Sequence, residues 1–308
     1  MKRKLSALIV TFNAMAVLIL DSGHAVQFAA EGVNLCLRVV IPSLLPFFLL
    51  SIYLTGNLSG NSGLISVLIS GFLGGYPAGA QAAASLWRTG RISAEYAQRL
   101  LMFCSQAGPA FLFGMVSNQF PGISYAWKLW AIQILSALSV YRIVFKKDDA
   151  PFSDSPASPL SLTGAMQKAL QAMASVCGWV IIFRVLLGFL SPLPLPIHWK
   201  LLLSGLLELT NGCAGLEAVE NISLRFLLAA VMLNFGGLCV MLQTASVTEG
   251  LDLRYYLLGK LLQTGFSILF CFLFLGYYGA ILPFFLGCLL ICRRNPAKKG
   301  SIPAIFGV

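Results

Sequence analysis

Glu208 stands in the run LLLSGLLELTNG, a carboxylate embedded among leucines and glycines with Thr210 and Asn211 just behind it. An ionisable group in so apolar a stretch is costly, and where one persists it marks a functional site by default. Ser105 and Gln106, in FCSQAGPAFLFGMV, and Gln243, in FGGLCVMLQ, add neutral groups that donate and accept hydrogen bonds. This set suits the recognition of an oriented polar solute. Arg184, in VIIFRVLLGF, and Arg38, in LCLRVV, are candidate counter-charges for Glu208 or for an anionic solute. Each equally fits a structural pair or a side chain that snorkels to an interface. Glu208 has its own structural alternative, a bond to an opposing backbone N–H or to Arg184.

Chemistry beyond recognition lacks machinery. The chain has no G-x-S-x-G, no H-E-x-x-H, no paired aspartates in facing segments and no Cys/His pair, so neither hydrolytic nor metal-assisted catalysis is expected. No enzyme activity, cofactor or metal is called for. The eight cysteines, at 36, 104, 177, 213, 239, 271, 288 and 292, are scattered through apolar runs without C-x-x-C spacing. They read as small polarizable packing residues rather than disulfides or ligands. His24 and His198 fall near expected external ends and read as bystanders.

The polar candidates lie beside interruptions of the backbone pattern. Residues 71–81, GFLGGYPAGAQ, hold Gly71, Gly74, Gly75, Tyr76, Pro77 and Gly79 between apolar flanks. Gly108 and Pro109 follow Gln106, and in the second half Gly236 and Gly237 precede Gln243. Opening a helix in hydrocarbon strands N–H and C=O groups, each costing several kcal/mol unless protein or trapped water satisfies it. Glycine permits the unusual dihedrals and proline removes a donor. Such a site presents helix N-termini to anions and free carbonyls to cations. The competing reading is that the glycines only let helices pack closely.

Composition makes the membrane the solvent. Of 308 residues, 58% are hydrophobic and 10% charged, with a mean hydropathy of +0.83; a soluble domain carries about 25% charged residues. The net charge of +10 is not one patch interleaved with aromatics, so nucleic acid is not an expected partner. Lys and Arg instead cluster in short segments (Lys2–Lys4, Arg88 and Arg91, Arg142 to Lys147, Lys168, Arg254, Arg293 to Lys299), the pattern that fixes cytoplasmic loops.

With both termini cytoplasmic and about 20 residues per crossing, the expected fold is all-α and polytopic: a single membrane domain over 1–308 with about eight transmembrane helices. The basic-then-apolar N-terminus resembles a signal peptide, but DSGHAVQF is a poor cleavage site, so a retained first helix over 5–20 is expected. The segments VQFAAEGVNLCLRVV and SLTGAMQKALQAMA read as amphipathic approaches to the spans that follow them. A first repeat over 33–145, a polar linker over 146–160, a second repeat over 161–275 and a last helix over 277–292 complete the plan. If 63–86 spans, Arg88 and Arg91 land outside; if it dips in and returns, all strongly basic loops share one side. The charge rule therefore favours two re-entrant hairpins, the second around Glu208. Ser70-Gly71-Phe72-Leu73 is matched by Ser204-Gly205-Leu206-Leu207, and a second glycine-rich break follows each at similar spacing. Hairpins entering from opposite sides make the repeats inverted, and paired interruptions of this kind point to a transport site.

In order, IPSLLPFFLLS, SGFLGGYPAGA, FCSQAGPAFLFGMV, GLLELTNG and FGGLCVMLQ resemble the bacterial sporulation integral membrane proteins of the nucleoside-recognition Gate superfamily, over most of residues 35–290. The resemblance implies a polytopic protein of the cell membrane or forespore membrane of endospore formers. It links the chain to spore maturation and to movement of dipicolinate, a small aromatic dicarboxylate. The wider superfamily is similar to concentrative nucleoside carriers in using inverted repeats with re-entrant hairpins. Its motif positions carry over to Gly74, Gly75, Tyr76, Pro77, Gly79, Gly108, Pro109, Glu208, Thr210, Asn211, Gly212, Gly236, Gly237 and Gln243. One departure concerns substrate: where the family pattern has Cys-Asn-Asn, this chain has Cys104-Ser105-Gln106. The expectation is a transporter or permeation pathway in the lipid bilayer for a small polar, anionic solute. A dicarboxylate beside Glu208 requires that glutamate to be protonated or ion-paired, for instance with Arg184. The alternatives are a neutral nucleoside-like solute and a non-transporting scaffold of sporulation. The coupling ion and a homo-oligomeric state are open at this point.

Overall fold

A computed structural model of the chain describes residues 15–57, 62–145 and 159–276, together with 9, 12 and 13. Of the expected crossing over 5–20, residues 5–8, 10, 11 and 14 lie outside the described residues. The linker, except for 159 and 160, and the whole of 277–292 also lie outside them. Within the described residues every regular element is helical.

Each half opens on a long helix. In the first, α1 (Ser22–Leu35) runs through a π turn (Cys36–Val40) into α2 (Ile41–Asn57). Pro42 and Pro46 lack the N–H that carbonyls four residues earlier require, and the register slips, so that the Ile41 N–H reaches Cys36 O. In the second half the corresponding element is α8 (Leu162–Leu190), capped by Ser161 Oγ accepting from the Gly164 N–H (3.1 Å). The stretches read as amphipathic approaches are thus continuous with their spans. α1 and α2 pack along α8, with Gly32 against Ile181 and Gly188 against the Phe28 ring. Small residues let helix backbones approach closely where no water drives them together.

The order that follows is the same in both halves. In the first, α3 (Ser62–Leu73) turns at Gly74–Pro77 into α4 (Ala78–Arg88), which packs back on it. Then α5 (Ala94–Leu101), a non-helical stretch over 102–108 and α6 (Pro109–Gly114) form a broken segment, followed by α7 (Ser124–Val144). In the second, α9 (Ile197–Leu207) breaks at Glu208 into α10 (Leu209–Ala214), which packs back on α9. α11 (Ile222–Phe235) and α12 (Gly237–Val247), broken at Gly236, are followed by α13 (Leu253–Phe274), which packs on α7. Asp252 caps α13 through the Arg254 N–H (2.9 Å), and the Arg254 guanidinium beside it holds its carboxyl below the usual carboxylate range.

Contacts divide the molecule into two ends. Trp87 lies against Gly250 and Arg88 donates to Glu249 O (3.4 Å), so 87–91 and 248–252 share one end. The Glu217 N–H donates to Gln119 Oε1 (3.2 Å) and Arg225 to Gln119 O (2.7 Å), so 115–121 and 215–221 share the other. The 26 residues of Ile222–Val247 run between them. The open bases of the two folded-back pairs therefore lie at opposite ends.

Four helices among the described residues are long and apolar enough to cross a membrane: Ser22–Asn57, Leu162–Leu190, Ile222–Val247 and Leu253–Phe274. The shorter apolar helices, Gly63–Leu73 and Ile197–Leu207, are the first arms of the two folded-back pairs. Length and hydropathy thus support four of the roughly eight spans expected.

Candidate functional site

The two interruptions converge although they belong to opposite ends. From the α3–α4 turn, Tyr76 reaches across and its Oη donates to Leu233 O (2.8 Å), next to the break in the other half. Its ring rests where a side chain of Gly236 would be, about 3.1 Å from the position of a Cβ; Gly236 has φ 83°, which only glycine adopts without strain. Gly75 faces Gly108, and Gly237 lies over the last carbonyls of α9, those of Gly205, Leu206 and Leu207. Between these turns is a cavity of about 50 Å³, whose lining includes Tyr76, Gly108, Glu208, Thr210 and Gln243 beside valines and leucines. That is room for a few waters. A ring-sized solute does not fit in this state.

Glu208 is 2% exposed and already occupied. Its carboxylate accepts from the Thr210 N–H (3.0 Å), the Asn211 N–H (2.7 Å) and Asn211 Nδ2 (2.6 Å). It is the N-cap of α10, so this helix end presents its donors to its own glutamate, not to the cavity. Arg184 does not touch it. The guanidinium pairs with Glu31 (Nε to Oε2, 3.0 Å, with Nη2 also on Oε2) and reaches Asn211 Oδ1 (3.3 Å). The proposed counter-charge is therefore one residue removed: Arg184 orients Asn211, and Asn211 holds Glu208. Arg38 is exposed on the π turn, away from this network.

The other residues singled out by sequence divide between lining and framework. Gly71 and Gly79 flank the carbonyl of Cys104, Gly74 sits under Ser51 and Ala78, and Gly212 lies against Gly205. Pro77 and Pro109 begin α4 and α6. Gln243 faces the cavity and bonds Cys239 Sγ (3.2 Å). Ser105 and Gln106, at most 1% exposed, do not line it. Gln106 instead satisfies the unwound backbone: its N–H donates to Gly71 O (3.3 Å) and its Nε2 to Phe103 O (3.0 Å) and to Gln263 Oε1 (2.6 Å). Gln263 Nε2 donates in turn to Met102 O (2.6 Å).

One central residue escaped the sequence reading. Lys260, 1% exposed, places its ammonium on Tyr76 Oη (3.1 Å), on Ser105 O and toward Gln263 Oε1 (3.4 Å), above the ring of Tyr76 (4.7 Å to the centroid). The signal was available: a lone cation in YYLLGKLLQTGF, seven residues into an apolar helix.

A second, wider space opens beside the first turn. This vestibule, of about 380 Å³, is lined by Ser51, Thr55, Ser70, Gln81 and Ser85, together with the buried Arg91 and the exposed Lys168. Its lining among the described residues holds two cations and no carboxylate. Among the described residues, Ser70 Oγ and Gln81 Oε1 have no hydrogen-bond partner. Ala78, the first residue of α4, is on its floor, and Tyr76, two residues back, lines the small cavity. The turn at Tyr76–Pro77 is the partition between the two spaces.

Over 313 aligned residues the chain is 26% identical to the sporulation integral membrane protein YlbJ of Bacillus subtilis (strain 168), with 80% of this chain and 76% of that protein covered. No family model and no solved structure matches it. The similarity and the long apolar helices together support an integral membrane protein similar to YlbJ, consistent with a link to sporulation.

Proposed function

We propose that this protein is a membrane transporter or permeation pathway for a small polar, anionic solute, with a dipicolinate-like dicarboxylate as the preferred class, working in spore maturation. The observation that carries the reading is the pair of interrupted segments meeting from opposite ends at a small cavity, with a cation-lined vestibule on one side of the partition only. In a bilayer these segments are two re-entrant hairpins of an inverted repeat, and the crossings cut at their glycines complete about eight spans. The end carrying Arg88, Arg91, Lys168 and Arg254 is cytoplasmic by the distribution of positive charge. The solute enters the vestibule, where Lys168 raises the local concentration of anions, and hydroxyls and amides replace its water. Movement of the Tyr76–Pro77 turn then joins vestibule and cavity, and movement of the Glu208 turn opens the other face. Capping by Glu208 supports this division of labour: anion selection belongs to the vestibule, since the cavity offers no free helix N-terminus on the α10 side.

Flux is the test. Vesicles containing the protein are expected to move labelled dipicolinate and not a labelled nucleoside, and Lys168→Glu, on an exposed position of the vestibule, is expected to lower that flux several-fold at low salt. Nucleoside movement without dipicolinate movement establishes the neutral-solute alternative. Movement of neither by correctly assembled protein leaves a scaffold. Topology has its own check. Single cysteines at Ser62 and Thr89, in a cysteine-free background, are expected to label from the cytoplasmic side only. Labelling from opposite sides would make 62–89 a crossing and end the hairpin reading.

A further inference from the structure

The ammonium of Lys260 sits among oxygens of the kinds that also ligate metal cations. A carbonyl from an unwound segment (Ser105 O), a phenol oxygen (Tyr76 Oη) and an amide oxygen (Gln263 Oε1) converge on it, and the faces of Tyr76 and Tyr256 lie within 5.8 Å. No carboxylate pairs with it among the described residues. Carbonyls freed by a broken membrane helix serve as ligands of coupling cations in carriers, and hard cations take oxygen ligands, carbonyls among them. The three oxygens also come from the three pieces a gate must coordinate: the first turn, the broken segment α5–α6, and α13. Lysine has three N–H donors and no acceptor. Three acceptors meet three donors, and the site is complete without an ion from solution.

We propose that Lys260 is a tethered cation occupying a latent monovalent-metal site, so that the protein closes its first turn, and moves its solute, without sodium. The sodium-independence of flux rests on the transport reading above; the site itself does not. An ion that cannot dissociate cannot store a gradient, whereas a covalently held one ties the Tyr76 turn to Ser105 and α13 in the closed state whatever the salt, and the turn opens by breaking those hydrogen bonds.

The test is therefore a stability measurement that needs no transported solute. Purified wild-type protein is expected to unfold at the same temperature in sodium chloride and in choline chloride of equal strength. Lys260→Ala is expected to unfold earlier than wild type in choline and to recover by roughly 3 °C or more in sodium, as a newly liganded site does at saturating ion. Lys260→Met, whose stem refills the space without charge, is expected to be destabilised with no difference between the salts. Selective stabilisation of the wild type by sodium overturns the proposal, because it shows a cation site not filled by Lys260. Identical behaviour of the Ala and Met variants in both salts, including failure of both to accumulate, overturns it as well. If the stability results hold and vesicles show no flux, the tethered site stands and the transport reading falls.

Discussion

Gly71→Ala is expected to prevent the folded protein from accumulating, or to cost more than about 3 kcal/mol where it does accumulate. A Cβ at Gly71 would lie 1.6 Å from Cys104 O and 2.7 Å from Cys104 C, and the obstacle is backbone that cannot rotate away. Gly79 approaches the same carbonyl from α4, where a Cβ would lie 1.9 Å from it. The unwound stretch is thus wedged between two helices at glycines, and moving it would break the bonds from Gln106, Gln263 and Lys260 that satisfy its carbonyls. The same substitution at Gly178 or Gly265, in the interiors of α8 and α13, meets nothing within 4 Å. There alanine is expected to be neutral or to stabilise by up to about 1 kcal/mol through helix propensity. Fluorescence-detected size exclusion and thermal unfolding of the three variants in one detergent decide the matter. A Gly71→Ala protein that melts with Gly178→Ala would mean that α3 and the 102–108 stretch are not in contact.

Glu208→Ala is the second large effect, expected to destabilise by about 3 kcal/mol or more. It strips three charge-assisted hydrogen bonds, and donors left unsatisfied out of water cost about 1–3 kcal/mol each. Glu208→Gln is expected to lose less, about 1–2 kcal/mol. One amide oxygen still accepts from an N–H of Thr210 or Asn211, while the NH2 group confronts the other donor. A graded loss in the order Gln then Ala, measured as unfolding midpoints, identifies the carboxylate as the cap of α10. Equal stability of all three proteins would return Glu208 to the role of a free group facing the cavity. This order also guards the flux experiment, since a silent Glu208 variant says nothing about solute unless it is folded.

Much of the architecture was legible because its causes are local. The membrane solvent follows from composition, and the breaks follow from residues that cannot sustain a helix: Gly74, Gly75 and Pro77 in one half, Gly236 and Gly237 in the other. The likeness between Ser70-Gly71-Phe72-Leu73 and Ser204-Gly205-Leu206-Leu207 has a physical counterpart, as both glycines lie at the end of a first arm and are pressed against a neighbour, Cys104 O and Met232 respectively. Roles were less legible than positions. Gln106 has the chemistry of a substrate ligand and serves as a plug for unwound backbone. Arg184 lies near Glu208 in space yet pairs with Glu31, 153 residues away. A side chain's type limits what it can bond; it does not say which partner packing will bring.

The chain alone therefore determined its solvent, the positions of its helix interruptions and the doubled order of its elements, since hydropathy and backbone freedom act over a few neighbouring residues. The tertiary structure alone decided that Lys260 meets Ser105 O and Tyr76, that Glu208 spends its carboxylate on α10, and that a cation-lined vestibule lies on one side of the Tyr76–Pro77 partition. Those contacts join residues more than a hundred positions apart, or hang on which of several nearby donors a carboxylate faces. Both are set by how two similar halves pack, and no local rule of sequence encodes that.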